Sequence, residues 1–297
     1  MRSGRALRLS QTHYARVLHV ANAFMEKEEK SDHKSEAEEK SAPEGKVVYE
    51  AIRQEGESEL ERATSALAWS GLAAGLSMGF SMAGKAALKH HLPEADWTPL
   101  ITNLGYSFGF LIVILGRQQL YTENTLTVIL PFLMRKKMSV LANIARLWTV
   151  VLLTNLLGAL AFAVVMARTT VVSPGVQEAM RKLGEEALRH DFATTVLRGI
   201  FAGWLIALMV WLLPFAEQLR VVVIILITYL VGVAEFPHIV AGAVDVFFVA
   251  AEGTRGWGEV VSRFIVPVLL GNTIGGVTLV ALLGHLQFAA EGEAVDV

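Results

Sequence analysis

The chain has 297 residues, 53% hydrophobic and 18% charged, with a formal net charge of −2. Soluble chains average roughly 25% charged. Here the charges crowd into the first 65 residues, so the remainder reads as a polytopic membrane domain. The near-neutral charge excludes a nucleic-acid partner, and the absence of cysteine excludes disulfides, thiolate metal sites and cysteine nucleophiles.

The first apolar run begins near Ala66, so no cleavable signal peptide is expected and the first span directs insertion. Residues 1–44 read as a disordered tail. Met1 to Val20 is basic with scattered apolar residues, and Glu26 to Glu44 is a Glu, Lys and Ser run with no apolar face. Residues 45–64 set Val47, Val48, Ala51, Ile52 and Leu60 against Glu50, Arg53, Glu55, Glu57, Glu59 and Glu61. That pattern predicts an amphipathic helix lying near the membrane surface.

Residues 65–286 read as the transmembrane domain, and 287–297 as a short acidic tail. Span one, Ser65 to Leu88, is rich in Gly, Ala and Ser, which let membrane helices approach closely. Paired His90 and His91 follow it and read as a solvated loop. Span two, Pro99 to Met134, exceeds the roughly 20 residues of one crossing. Its middle, Gly116-Arg117-Gln118-Gln119-Leu120-Tyr121-Thr122-Glu123-Asn124, is too polar for a lipid-facing helix. It parses as a half-helix to Leu115, a polar loop and a second half-helix to Leu133.

Span three, Ile144 to Met166, contains Asn155. An external loop with a short helical pattern follows, from Arg168 to Asp191, before span four, Phe192 to Leu213. Span five, Val221 to Ala251, is interrupted by Glu235-Phe236-Pro237-His238. Proline removes a backbone donor, and a charge at bilayer depth costs roughly 2.5 kcal/mol or more. Span six, Val260 to Leu283, contains Pro267, Asn272, Gly275 and Gly276.

The expected fold is therefore an all-α membrane protein with six transmembrane helices. They fall into two inverted three-helix repeats with spans two and five broken, at 116–124 and 234–242. Convergent breaks are the pattern of a midplane substrate site. Alone, the second break equally fits a satisfied interior histidine beside a proline kink. Basic residues fall on both sides of the spans and barely discriminate orientation. No Ser-His-Asp order, HExxH or metal-ligand cluster occurs among the spans, so no enzyme activity, metal or cofactor is expected.

Several short motifs resemble the formate/nitrite transporter family, over residues 65 to 286. Leu120-Tyr121-Thr122 is similar to the family's Leu-Phe-Thr, and Asn155-Leu-Leu-Gly158 to its Asn-Leu-x-Gly. Phe236-Pro237-His238-Ile-Val-Ala241 resembles Phe-Glu-His-x-x-Ala, with His238 on the central histidine. Pro267 to Gly276 is similar to Pro-x-x-x-Gly-Asn-x-x-Gly-Gly. The acidic N-terminal extension and the Gly-Arg-Gln-Gln loop resemble the YfdC-like branch.

The resemblance implies an aquaporin-like homopentamer with one pore per protomer, in a bacterial inner membrane, with a cytoplasmic N-terminus. It implies conduction of small monovalent anions, with protons shared through the histidine. The chain departs from the family pattern in five places: Gln119 replaces an acidic residue, Arg117 a small one, Gly203 and Gly242 asparagines, and Ala187 a vestibule lysine.

Seven residues are candidates for the pore: His238, with Thr122 hydrogen-bonding it across the pore and fixing its tautomer; Leu120 and Tyr121 as constriction residues; and Arg117, Glu123 and Glu235. Arg117 is expected to be neutralised by Glu123 or Glu235, or else to be a free cation that attracts the anion. Asn124, Asn155, Asn272 and Pro237 read as support for the broken-helix loops. The partners expected are the lipid bilayer, a small monovalent anion and protons. The alternatives are a facilitator of another small weak acid and a non-transporting protein whose pore is plugged by Arg117, Glu123 and Glu235.

Overall fold

The computed structural model describes residues 45–293, so the expected tail over 1–44 and the last residues of the acidic tail lie outside the described residues. The described chain is helical. Helix α1 (Gly45–Glu61) precedes α2 (Thr64–His91), which includes both His90 and His91 in its last turn instead of a loop. Next come α3 (Thr98–Thr102) and α4 (Ser107–Leu115), then α5 (Tyr121–Thr127) and α6 (Ile129–Arg135), then α7 (Met138–Arg168). The second repeat has α8 (Pro174–Ala187), α9 (Phe192–Leu212), α10 (Arg220–Val233) and α11 (Ile239–Glu252). The last crossing is α12 (Trp257–Val260), a π segment over Val261–Ile265, α13 (Val266–Ile274), a second π segment over Gly275–Leu282, and α14 (Leu283–Glu293).

Five of these stretches are long and apolar enough to cross a membrane: α2, Thr98–Leu115, α7, Phe192–Phe215 and Trp257–Gln287. The sixth crossing is α10 with α11, each 14 residues and too short to span alone. The second half of span two differs from the expected single half-helix. It is two seven-residue helices hinged at Val128.

The repeat is larger than three helices. Helix α1 buries Tyr49, Ile52, Gly56 and Leu60, a stripe at helical spacing. Gly56 seats on the second half-helix of its repeat: a Cβ there would lie 2.0 Å from the Thr127 carbonyl oxygen. Helix α8 does the same, because a Cβ on Gly184 would lie 2.4 Å from the Asp245 carbonyl oxygen. So α1 and α8 are counterparts, and the segment 168–191 holds a packed helix as well as loop. An ion pair and a hydrogen bond reinforce the α1 contact, with Arg135 2.6 Å from Glu57 and Arg146 donating to the Leu60 carbonyl at 2.8 Å.

The spanning helices pair in the same mirrored way. Helix α2 lies on α7 and α9 lies on α13, with glycine at the closest approach of each pair. A Cβ on Gly75 would meet the Asn155 carbonyl oxygen at 2.1 Å, and one on Gly203 the Asn272 carbonyl oxygen at 2.2 Å. Small residues thereby bring each asparagine against the neighbouring helix of its repeat.

Gly56→Val places three carbons where a carbonyl already stands. It is expected to lower stability by about 1–3 kcal/mol, read as a reduced unfolding temperature in detergent. Gly45→Val, whose Cβ would meet nothing nearer than 3.9 Å, is expected to leave that temperature unchanged.

Candidate functional site

The two breaks share one backbone. Half-helix α4 ends by turning through Arg117, and α10 through Glu235, at φ 49° and 53°. In each, the next residue's N–H reaches back to close the helix end, Gln118 to the Val113 carbonyl at 2.9 Å and Phe236 to the Val231 carbonyl at 3.0 Å. The left-handed conformation costs a non-glycine residue roughly 1 kcal/mol. The chain then runs extended through Leu120 and His238, which stand at the N-caps of α5 and α11.

Breaking a helix frees backbone groups that lipid cannot satisfy. One asparagine closes each break. The Asn155 side-chain Oδ1 accepts from Tyr121 N–H at 2.9 Å, and its side-chain amide donates to the Gly71 and Gln119 carbonyls at 2.8 Å each. Asn272 accepts from Ile239 N–H at 2.8 Å and donates to the Gly199 and Pro237 carbonyls at 2.9 and 3.0 Å. Both side chains are fully buried.

One difference between the breaks follows from proline. Gln119 N–H needs an acceptor and finds Ser70 Oγ at 3.0 Å. Its counterpart, Pro237, has no N–H. Asn124 completes the first loop, donating to Gln119 Oε1 at 3.0 Å and to the Leu120 carbonyl at 3.2 Å.

The breaks meet at one hydrogen bond, Thr122 Oγ1 to His238 Nε2 at 2.7 Å. His238 Nδ1 accepts from Ala241 N–H at 3.2 Å, capping α11. With Nδ1 an acceptor, a neutral imidazole carries its proton on Nε2, so the tautomer is set by the capping bond and Thr122 receives the proton's hydrogen bond. Phe110 packs edge-on to the imidazole, with ring centroids 5.0 Å apart.

A cavity lies to either side of this contact. One, of about 90 Å³, is lined by Lys85, Arg189, Arg198, Glu235, His238 and Asp245. The other, of about 500 Å³, is lined by Glu55, Glu59, Arg117, Glu123, Asn124 and Arg220. They sit at opposite ends of the bundle. Arg62, on the larger cavity, precedes α2, and Lys85, on the smaller, lies in its last turns. The helix between them rises about 35 Å. Leu120, Tyr121 and Thr122 are buried and line neither cavity. The Tyr121 hydroxyl turns away to Thr273 Oγ1 at 2.8 Å.

The expected neutralisation of Arg117 by Glu123 or Glu235 is not found. Arg117 and Glu235 occupy equivalent turns of inverted repeats and therefore face opposite cavities. Glu123 shares the larger cavity with Arg117 but makes no ion pair with it. Glu235 pairs with Arg189, and lies 3.7 Å from Arg198. A single plug built from Arg117, Glu123 and Glu235 is thus excluded by the inversion. On the larger cavity, burial and the neighbouring Glu59 charge raise the Glu55 carboxyl above the usual carboxylate range, with Arg117 and Arg220 opposing.

Sequence reasoning missed Lys85 and Arg198 as cavity residues, and α1 as a cavity wall. Gly56 and Gly184 at matching places in two amphipathic helices were the available signal for α1.

A profile of the family described as formate/nitrite transporter matches residues 46–286. The chain is 41% identical over 241 residues to the inner membrane protein YfdC of Escherichia coli (strain K12), covering 81% of this chain and 78% of that one. It is 26% identical to the formate channel BtFdhC of Bacillus thuringiensis, over 72% of this chain and 82% of the relative. Among solved structures, a pentameric formate channel with formate bound superposes with a TM-score of 0.64 at 21% identity, covering 77% of this chain and all of the other. These superpositions share the aquaporin-like helical fold.

The clasps make a paired prediction. Asn272→Ala strips three hydrogen bonds and leaves Ile239 N–H buried without a partner. Loss of about 2–3 kcal/mol is expected, and Asn155→Ala is expected to lose a similar amount, both measured as denaturation midpoints in detergent.

Proposed function

Because the chain belongs to the formate/nitrite transporter family, we propose that it carries small monovalent anions of the formate and nitrite class through a pore centred on His238. The observation that supports this reading best is the Thr122–His238 hydrogen bond, set between two cavities at opposite ends of one protomer. Residues 65–286 are the transporting unit in this reading, with α1 as a wall of one vestibule. The bound formate and pentameric assembly of the solved relative support formate as substrate and a homopentamer here. The inner-membrane relative supports the same location, and this reading keeps the N-terminus cytoplasmic as the family resemblance implies.

An anion entering an apolar constriction loses hydration that nothing apolar restores. Lys85, Arg189 and Arg198 line the smaller cavity, and Arg117 and Arg220 the larger. Each vestibule thus offers the anion cationic partners up to the buried layer. At that layer Phe110, Leu120 and Thr122 are fully buried. The anion crosses it beside His238, whose Nε2–H and the Thr122 hydroxyl supply hydrogen bonds and a route for a shared proton. Leu120 and Phe110 exclude water and hydrated ions. Large apolar side chains on the outer surface, such as Leu153, Leu157, Leu197 and Leu226, each more than half exposed, fit contact with lipid or neighbouring protomers.

The buried layer also favours a second reading, a non-transporting protein sealed at its centre. Flux separates the two. In proteoliposomes with an inward formate gradient, the intact chain is expected to carry formate and nitrite faster than chloride. His238→Phe is expected to reduce the flux about tenfold or more, since a lost hydrogen bond to a charged group is worth about 1.5–3 kcal/mol. Full proton-coupled flux through the His238→Phe variant overturns the central role of the histidine, and absence of flux in the intact chain favours the sealed reading.

A further inference from the structure

We propose that Arg189 and Arg198 form a capture site for a carboxylate-class anion at the mouth of the smaller cavity, occupied in this conformation by the protein's own Glu235. The proposal rests on the transport reading for its purpose, but its geometry is independent of it.

The two guanidiniums converge on one carboxylate oxygen. Arg189 Nη2 donates to Glu235 Oε2, and Arg198 Nη2 lies 3.7 Å from the same atom. Arg198 is fixed in place, donating to the Ala234 and Glu235 carbonyls at 3.0 Å each. Its Nε is buried without a partner, so the fork is not fully used by Glu235. Planar forks of this kind recognise carboxylates better than spherical ions.

Glu235 is poorly held as a permanent ligand. Its side chain is 50% exposed, and that of Arg189 is 45% exposed. Ion pairs so exposed contribute little to stability. Its backbone sits at φ 53°, where glycine would be unstrained. The chain therefore keeps a carboxylate at a strained turn, where a tethered group acts as an internal competitor for an incoming anion. The other charges nearby are differently placed. Glu186 is taken by Lys89 at 2.7 Å. Lys85 and Asp245 also line the cavity that reaches His238, and neither makes an ion pair or hydrogen bond among the described residues. An anion that displaces Glu235 thus stands at the entrance of a path to the histidine.

The test uses the full chain in detergent and reads the formate-dependent rise in unfolding temperature. A tethered competitor acts at an effective concentration of roughly millimolar. Glu235→Gln is therefore expected to reach half of the maximal rise at about tenfold lower formate. Adding Arg189→Gln to that variant is expected to abolish the gain. Arg189 is preferred to Arg198 because Arg198 also holds the turn. An unchanged formate dependence in Glu235→Gln overturns the proposal, and an equal gain with chloride overturns the carboxylate assignment. A chain that shows this binding pattern but carries no formate in proteoliposomes overturns the transport reading and leaves the capture site standing.

Discussion

A helix that stops inside a membrane must find partners for the backbone groups it frees, and two asparagines supply them. Asn155 and Asn272 each accept one N–H from the start of a second half-helix and donate to two carbonyls, one in the loop and one on the neighbouring spanning helix. Unsatisfied groups at that depth cost several kcal/mol each. The clasp therefore fixes the extended stretches through Leu120 and His238, and through them the aim of α5 and α11. Gly75 and Gly203 are required because each asparagine backbone lies where a Cβ would otherwise stand. The central contact of Thr122 with His238 exists only because both clasps hold.

One backbone is thus used twice, and side chains give the two copies different chemistry. Leu120 and His238 occupy equivalent caps, so one half contributes an apolar residue and the other an imidazole. Arg117 and Glu235 occupy equivalent left-handed turns with opposite charge, at opposite ends. Gln119 retains an N–H that Ser70 must satisfy, whereas Pro237 has none. With Pro237 in place, no acceptor is needed beside it, and Arg198 instead holds the carbonyls of the turn. A symmetric frame becomes a pore with distinguishable ends through substitutions that leave the frame's hydrogen bonds intact.

Much of this frame is legible in the residues. Polar and proline-bearing breaks inside apolar runs, and an asparagine in each following span, are chemical signals that survive without any tertiary information. The pairing of Arg117 is not legible, since which end a loop residue faces depends on the inversion of its repeat. The hinge at Val128 does have a signal in Pro131, which lacks the N–H that would bond the Thr127 carbonyl four residues back and so divides an otherwise continuous helical pattern. Helix α1 reads as an interfacial helix because its charges outnumber its apolar residues. Its buried stripe becomes visible only with Gly56 seated on Thr127, and then Glu55 and Glu59 stand as cavity residues rather than solvated ones.

His238 shows why the caps matter to the chemistry. Its Nδ1 is committed to Ala241 N–H as the N-cap of α11, and its Nε2 to Thr122. A second proton can be added only at Nδ1, which converts that acceptor to a donor and removes the cap. An N-cap hydrogen bond is worth about 1 kcal/mol, and the freed N–H would be buried. The charged imidazolium is thus opposed by the same bond that positions the ring. In the proposed pore, His238 therefore offers the anion a hydrogen bond through Nε2–H, and it passes a proton on from Nε2 only out of a transient imidazolium whose second proton sits on Nδ1. An ion held permanently beside an imidazolium would be slow to leave, so this bias toward the neutral ring favours passage over retention.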